Sequence, residues 1–350
     1  CPHRCASLFF GRNEEEGIRC VYHGWKFDPD GKCVDMPSEP PESNFKDKVQ
    51  ATAYPTREQV GIVWAYMGPR RENLPALPNI EALGLPEGEI HTWAAQRECS
   101  WLQGLEGDID TSHFGFLHIG SATEDQAAPG SPTLYAIRDR APRYKVMDTP
   151  FGTTYGAYRP GDANKNYWRI AHFLFPFWTM PPGSPMTRQM IARAWVPMDD
   201  ENCMVYNWMY NYAGQPLTDA DKQEEYQLGR GPGEMLPDFR TKRNKSNDWM
   251  MDREVQKYET FTGIEGINTQ DQAIQESMGP IVDRTNENLS ASDMAIVIAR
   301  RMLIGAAGTV ADGGDPPGTG ESYYNVRAID GILPKDSDWK DALEDQMYPH

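Results

Sequence analysis

The sequence predicts an α+β protein in which a small all-β domain, residues 1–70, precedes a larger domain, residues 71–350, with an antiparallel sheet flanked by helices. Short strand-like segments joined by turns make up residues 1–68. Residues 69–90 begin with Gly-Pro-Arg-Arg and contain further prolines, which is typical of a linker. From about residue 130 to 213 strand patterns alternate with turn residues, and helical patterns lie on both sides.

The strands of the small domain are short. Residues 18–22, 51–54 and 61–66 are rich in β-branched or aromatic side chains and are predicted as strands. The sequence Asp28-Pro29-Asp30-Gly31 predicts a turn, because each of its residue types favours turn geometry.

The larger domain begins with a segment of helical character, residues 96–119. Its sheet is predicted from five strands, residues 144–147, 152–158, 167–175, 189–195 and 203–212. Two helices follow, one over residues 270–278 and one that starts at the N-cap sequence Ser292-Asp293 and continues to Leu303.

Composition excludes several classes of protein. Hydrophobic residues form 39% of the chain, with 12 Phe, 10 Trp and 16 Tyr, so a buried core is expected. The net charge of −17 argues against a nucleic-acid or anionic-membrane binder. No apolar run approaches the roughly 18–20 residues of a membrane-spanning helix, so no such helix is expected. The six cysteines are unevenly spaced and no signal peptide is visible, so a reducing, cytoplasmic location is expected.

The chain starts at Cys1, inside a motif and without an initiator Met. We therefore expect the N-terminal part of the small domain to be missing, and with it a strand that would cover the edge of its sheet.

Two Cys/His pairs form the first candidate site. Cys1-Pro2-His3 and Cys20-Val21-Tyr22-His23 each place a thiol and an imidazole two or three residues apart. A structural zinc site also uses these ligands, but zinc fingers usually group cysteines with cysteines and histidines with histidines. The Cys-x-His and Cys-x-x-His order instead favours a Rieske [2Fe–2S] cluster, which takes two thiolates on one iron and two imidazoles on the other.

Asp110, His113 and His118 form the second candidate site. Asp110 and His113 share a helix face, but His113 and His118 would lie roughly 140° apart around a straight helix. The helix should therefore end or distort between them, with Gly115 as the permissive residue. Two histidines and a carboxylate from elsewhere would bind iron and leave positions open for other ligands.

In this order the two motifs resemble those of the large subunit of Rieske-type ring-hydroxylating oxygenases, and the segments 271–284 and 300–303 resemble the phthalate dioxygenase group. The resemblance implies a helix-grip-like catalytic domain and a mononuclear Fe(2+) held by His113, His118 and Asp271, with Glu276 as the competing carboxylate. It also implies that Asp110 is a bridging acid between His23 of one subunit and His113 of its neighbour, in a homotrimer or a multiple of it.

The activity implied is that of a terminal oxygenase, a partner of a flavin and iron–sulfur reductase that uses NADH or NADPH. It would use dioxygen to add two hydroxyl groups to an aromatic, phthalate-like substrate. O- or N-demethylation would use the same metal residues, and an electron-transfer Rieske protein would not need the second site. Arginines suited to a substrate carboxylate include Arg138 and Arg169, with Arg140 and the basic cluster at 240–245 as further candidates.

Overall fold

The computed structural model describes residues 1–69, 74–118, 123–182, 189–211, 215–225, 229, 231–319 and 325–348. The chain forms two compact units, Cys1–Leu74 and Pro75–His350. The predicted boundary between residues 70 and 71 lies outside the described residues.

The first unit is built from short antiparallel strands. One sheet has the order β1-β2-β3-β4, with β1 (Arg12–Glu14), β2 (Gly17–Arg19), β3 (Lys26–Phe27) and β4 (Cys33–Asp35). A separate hairpin pairs β5 (Thr56–Gln59) with β6 (Ile62–Ala65). The predicted turn forms, since the Gly31 amide donates to the Asp28 carbonyl at 2.9 Å. The strand predicted at 51–54 is wrong, because pairing starts only at Thr56.

The core of this unit lies beneath the two Cys/His turns. It is formed by one cluster of buried side chains, Trp25, Phe27, Cys33, Met36 and Ala51. Cys1, Leu8, Ile18 and Val49 pack against this cluster. The first predicted metal ligand is thus attached directly to the core.

An eight-stranded antiparallel sheet forms the centre of the second unit, in the order β7-β13-β12-β11-β10-β9-β8, with β14 paired to β10. The strands are β7 (Ile90–Arg97), β8 (Arg143–Thr149), β9 (Gly152–Pro160), β10 (Lys165–Leu174), β11 (Trp178–Met180), β12 (Gln189–Pro197), β13 (Cys203–Asn211) and β14 (Ile329–Pro334). All five predicted strands are present, except that residue 212 lies outside the described residues. Three strands of the sheet, β7, β11 and β14, are additional to the prediction.

Helices cover both faces of this sheet. They are α1 (Trp101–Asp108), α2 (Pro132–Arg138), α3 (Asp219–Glu225), α4 (Arg253–Tyr258), α5 (Ile267–Ser277), α6 (Met294–Ala311) and α7 (Trp339–Met347). On one face Trp195 of β12 hydrogen-bonds to α1, and Thr153 of β9 contacts Met302 of α6. On the other face Trp168 of β10 stacks on Trp339 of α7 at 5.8 Å.

Helix α6 corrects the expectation that no apolar run approaches membrane-spanning length. Residues Ala291–Ala311 have a mean hydropathy of 1.6, and one such helix among the described residues is weak evidence for a membrane. Two arginines lie at the middle of α6, where Arg300 pairs with Glu106 and Arg301 with Asp148. The preceding half buries Ala295 and Ala299. These contacts attach the first half and the middle of α6 to the second unit, although only 11% of its apolar stretch is buried.

Candidate metal centres

The two Cys/His pairs lie on adjacent tight turns of the first unit. The Cys5 amide donates to the Cys1 carbonyl and the Gly24 amide to the Cys20 carbonyl, both at 3.0 Å. The His3 and His23 rings approach to 4.4 Å between centroids. His3 also stacks on the buried Trp25 ring at 4.2 Å, which fixes the orientation of the imidazole. The fold thus brings the two predicted imidazole ligands to one point.

His23 provides a test of whether these residues fit a metal cluster. Its Nδ1 is buried and has no hydrogen-bond partner among the described residues. Burial, with smaller contributions from His3 and Arg4, lowers the pKa of His23 and favours the neutral imidazole. A buried, neutral and unpartnered nitrogen is what an iron ligand requires, so the site fits the [2Fe–2S] cluster.

His113, His118 and Asp271 meet in the second unit, with one potential ligand atom from each lying within 4.8 Å of the others. An Asp271 carboxylate oxygen is 3.1 Å from His118 Nε2 and 3.6 Å from His113 Nε2. The two rings meet edge to face at 5.0 Å. Two imidazoles and one carboxylate at this separation fit a single ferrous ion with open coordination positions.

The local backbone differs from the predicted one. Helix α1 ends at Asp108, so Asp110 and His113 do not share a regular helix face. His113 begins a short 3-10 helix, His113–Gly115, and Gly115 itself does not adopt positive φ. The chain therefore leaves the helix before His113, and Gly115 is not the hinge. The irregular segment allows both imidazoles to turn towards Asp271 in the middle of α5.

Hydrogen bonds hold each imidazole from behind. Asp110 Oδ2 lies 3.2 Å from His113 Nδ1, and Gln270 Oε1 lies 2.9 Å from His118 Nδ1. Both Nδ1 atoms are thus engaged and both Nε2 atoms face Asp271. This arrangement is usual for histidines that bind metal through Nε2.

The electrostatics of the site favour an ionised carboxylate. Burial opposes the charge on Asp271, but His118, His113 and Arg193 outweigh burial and lower its pKa. Burial would lower the pKa of His113, whereas Asp110 and Asp271 raise it. The net effect raises the pKa of His113, so the acids of this site favour a positive charge beside them, which a divalent cation would supply.

Two tyrosines attach the segment between Asp110 and His113 to the sheet. Ser112 Oγ lies 2.8 Å from Tyr144 Oη, and Thr111 Oγ1 lies 3.2 Å from Tyr155 Oη. Burial raises the pKa of both tyrosines, so both phenols stay protonated and able to donate. Sequence reasoning missed Tyr144, Tyr155 and Gln270, of which only Gln270 has a signal, its position next to Asp271.

The competing carboxylate Glu276 lies elsewhere. Its side chain is buried, and Oε1 accepts hydrogen bonds from the Glu98 amide at 3.0 Å and from Gln272 Nε2 at 2.9 Å. Burial raises its pKa. Glu276 therefore joins α5 to the end of β7 and is not part of the three-residue metal group.

The two predicted substrate arginines have different surroundings. Arg138 is paired with Glu124 at 2.6 Å and with Asp162 at 2.9 Å on the protein surface. These acids occupy its guanidinium, so Arg138 lies in a surface ion-pair network, and its role in substrate binding stays a prediction. Arg169 instead lies over the Phe114 ring, 4.6 Å from its centroid, and its Nε has no hydrogen-bond partner among the described residues.

A cavity of about 230 Å³ opens beside the metal group. Asp110, His113 and Asp271 form its polar wall, and Leu117, Ile274 and Ile296 are among the apolar side chains that line it. Arg300 lies at this cavity too, held by Glu106 and Glu287. The metal group is therefore accessible on the side where Asp110 lies.

Comparison with known proteins gives matches along nearly the whole chain. Residues 1–55 match the family described as Rieske [2Fe-2S] domain, and residues 65–348 match the family described as LigXa C-terminal domain like. The 3-chlorobenzoate-3,4-dioxygenase oxygenase subunit of Comamonas testosteroni is 44% identical, over 99% of this chain and 83% of that protein. The phthalate 4,5-dioxygenase oxygenase subunit of Pseudomonas putida is 38% identical, over 97% and 79%.

A solved structure extends the match to the fold. Dicamba monooxygenase bound to dicamba aligns with a TM-score of 0.59, over 89% of this chain and 86% of that one, at 16% identity. At this identity the similarity shows a shared fold.

Proposed function

Because this chain belongs to the Rieske-type ring-hydroxylating oxygenases and matches their oxygenase subunits over nearly its whole length, we propose that it hydroxylates an aromatic carboxylate with dioxygen. The proposed product is a cis-diol in which both oxygen atoms are added to the ring. The observation that carries the proposal is the convergence of His113, His118 and Asp271 within 4.8 Å.

Iron bound by these three residues would supply the activation of dioxygen. The protein's own contribution is to orient the ligands. Asp110 and Gln270 hold the two imidazoles with their Nε2 atoms towards Asp271. Tyr144 and Tyr155 keep the intervening backbone against the sheet.

We propose Arg169 as the residue that binds the substrate carboxylate. Its guanidinium is stacked on Phe114, which follows His113 directly in the chain. Its Nε is buried and has no hydrogen-bond partner among the described residues, so the guanidinium lacks an acceptor that a carboxylate oxygen would supply. The relatives named for chlorobenzoate and phthalate support a carboxylated aromatic substrate.

The electron supply is proposed from the family. A flavin and iron–sulfur reductase would reduce the [2Fe–2S] cluster bound by Cys1, His3, Cys20 and His23. Electrons would then pass to the iron of a neighbouring subunit through Asp110, in a homotrimer or a multiple of it. We also propose a cytoplasmic location, since the six cysteines are unevenly spaced and do not suggest a disulfide framework.

The proposal is tested by product analysis. Anaerobically reconstituted protein is combined with a reductase and NADH under ¹⁸O₂ and offered a panel of aromatic acids and aromatic methyl ethers. We expect a diol that carries two ¹⁸O atoms. A demethylated phenol would identify a demethylase instead, and reduction of the cluster with no labelled product would identify an electron-transfer protein.

The matched control is His113→Ala in the same assay. It should keep the visible spectrum of the Rieske cluster and lose product formation, because only the mononuclear site is removed. Unchanged turnover in this variant would refute the assignment of the metal site.

A further inference from the structure

Arg193 lies beneath the metal group, on strand β12 of the sheet. Its side chain is 9% exposed and is in contact with groups from three different parts of the fold. Nε donates to Asn207 Oδ1 at 2.7 Å, which fixes the guanidinium against the neighbouring strand. The remaining nitrogens donate to Asp108 on α1 and, in a long hydrogen bond of 3.5 Å, to Asn268 Oδ1 on α5.

One of these two partners lies on the helix that carries Asp271, and the other lies just before the segment that carries His113. Asp108 is the last residue of α1 and precedes the irregular segment that presents His113. Asn268 lies three residues before Asp271 on α5, so the two side chains are on the same helix face. Arg193 therefore joins α5 and the end of α1, which leads into the His113 segment, to strand β12.

The environment of Asp108 shows that its contact with Arg193 has a fixed orientation. Its carboxylate is 7% exposed, and Oδ2 also accepts hydrogen bonds from Thr179 Oγ1 at 2.6 Å and Trp195 Nε1 at 2.8 Å. A buried carboxylate with this many donors has one defined position. A cavity of only about 10 Å³ lies among Asp108, Arg193, Asn268 and Asp271, so the group is close-packed behind the ligand.

We propose that Arg193 is a positioning residue for the mononuclear metal site, holding the end of α1 and helix α5 at the separation that lets His113, His118 and Asp271 bind one ion. The proposal rests on the metal site assigned above. It predicts that disturbing the Arg193 contacts weakens metal binding although no ligand is changed. Loss of such supporting contacts typically lowers metal affinity 10- to 100-fold.

The experiment measures anaerobic binding of Fe(II), and of Co(II) as a spectroscopic probe, to full-length protein that retains its Rieske cluster. Arg193→Met should weaken binding 10- to 100-fold and broaden the visible bands of bound Co(II). Arg193→Lys should bind with intermediate affinity, because an ammonium keeps the charge and loses the fork. Asn268→Leu should weaken binding about tenfold while the Arg193–Asp108 pair remains.

Asn268→Leu also covers the case in which Arg193→Met fails to fold. Asn268 Nδ2 has no partner among the described residues, so removing the amide breaks only the bond to Arg193. The matched control is Arg327→Gln, which breaks a partly buried ion pair with Glu81. Glu81 also accepts a hydrogen bond from Tyr210. Tyr210 and Asn207 are three residues apart on β13, so their side chains point to opposite faces of the sheet. The Arg327–Glu81 pair therefore lies on the face opposite to Arg193.

Arg327→Gln should lower the melting temperature and leave metal affinity unchanged. Affinities within twofold of wild type in both Arg193→Met and Asn268→Leu would overturn the proposal for Arg193, as would an equal loss of affinity in Arg327→Gln. Asp271→Ala separates the two levels of inference. If Asp271→Ala binds metal as wild type does, the metal site itself is wrongly assigned. If Asp271→Ala fails to bind metal while the Arg193 variants bind it normally, only the positioning role of Arg193 is rejected.

Discussion

Asp110 makes three short-range contacts that tie its carboxylate to the turn carrying His113. Oδ1 accepts from the Ser112 amide at 2.7 Å, and Oδ2 lies 3.4 Å from the His113 amide and 3.2 Å from His113 Nδ1. An amide at this position can keep the contact to Ser112 but presents a donor, not an acceptor, to the imidazole.

We therefore expect Asp110→Asn to retain most of its mononuclear iron and to lose at least tenfold in turnover. Iron content, the spectrum of the Rieske cluster and single-turnover product yield measure the three quantities separately. Ser112→Ala is the control, since it removes the Tyr144 contact and leaves the carboxylate in place. Full activity in Asp110→Asn would show that the carboxylate has no part in electron transfer.

His172 is a buried histidine that is not part of the metal group formed by His113, His118 and Asp271. Its Nδ1 lies 2.9 Å from Thr154 Oγ1 and its Nε2 lies 3.1 Å from the Arg327 carbonyl. Burial lowers its pKa to about 4, against an ordinary value of 6.5, while the carbonyl opposes the shift. The unfolded chain therefore binds a proton at mildly acidic pH that the folded chain excludes.

Stability from His172 is fully present above pH 6.5 and is lost as the pH falls towards 4. Between pH 7.5 and pH 5 the loss should be about 2 kcal/mol. Urea unfolding at the two pH values measures it, with His172→Gln as the comparison because the amide keeps both hydrogen bonds and has no charge to gain. An equal pH dependence in the variant would contradict the assignment.

At the residue scale the sequence predicts the metal ligands well, but it predicts poorly the residues that hold these ligands in position. The spacing of Cys1, His3, Cys20 and His23 is local, and so is that of His113 and His118. Tyr144 and Arg193 act through contacts between distant strands and helices, and no spacing reveals these contacts. Gln270 has only its position next to Asp271 as a signal. Arg138 and Arg169 are equivalent in sequence and differ only in whether acids lie beside them.

Among the elements, α1 depends on a close contact with the sheet. A Cβ added to Gly104 would lie 2.2 Å from Cζ3 of the Trp195 ring. Gly104→Ala must therefore displace either α1 or the indole whose Nε1 donates to Asp108. We expect a loss of stability of about 1–3 kcal/mol and reduced mononuclear iron content.

Gly305→Ala on α6 is the matched substitution, since nothing lies within 4 Å of the added Cβ. It should be neutral or stabilise the protein by up to about 1 kcal/mol. Thermal unfolding and iron analysis of both variants decide the matter. If the Gly104→Ala protein were as stable and as rich in iron as wild type, Trp195 and α1 would be able to move apart without cost.

The predicted elements differ from the observed ones where tertiary contacts determine their ends. Helix α5 runs from Ile267 to Ser277, close to the predicted 270–278. Helix α6 continues to Ala311, eight residues past its predicted end at Leu303. The first helical segment was predicted too long, because β7 and the bend after Asp108 have no distinct periodicity. Strand β14 is defined by its pairing with β10, across more than 150 residues of chain.

At the scale of the whole molecule, the two metal centres belong to separate compact units. The family resemblance implies that electrons pass from the Rieske cluster of one subunit to the iron of its neighbour. We therefore expect turnover per subunit to fall at least tenfold when dilution dissociates the oligomer, while chemical reduction of the Rieske cluster keeps its rate. Sedimentation analysis across the same concentrations measures the association. A monomer with undiminished turnover would exclude transfer between subunits.

The hydrogen bond between His118 and Gln270 joins residues 152 positions apart. During synthesis the histidines leave the ribosome long before α5, so the nascent chain offers two imidazoles and no matching carboxylate. Tight capture of iron has to wait until α5 has been made and has packed beside the His113 segment, since metal binding and folding are coupled. A polypeptide that stops before α5 lacks both Asp271 and the Gln270 contact, so it presents an incomplete site for the ferrous ion.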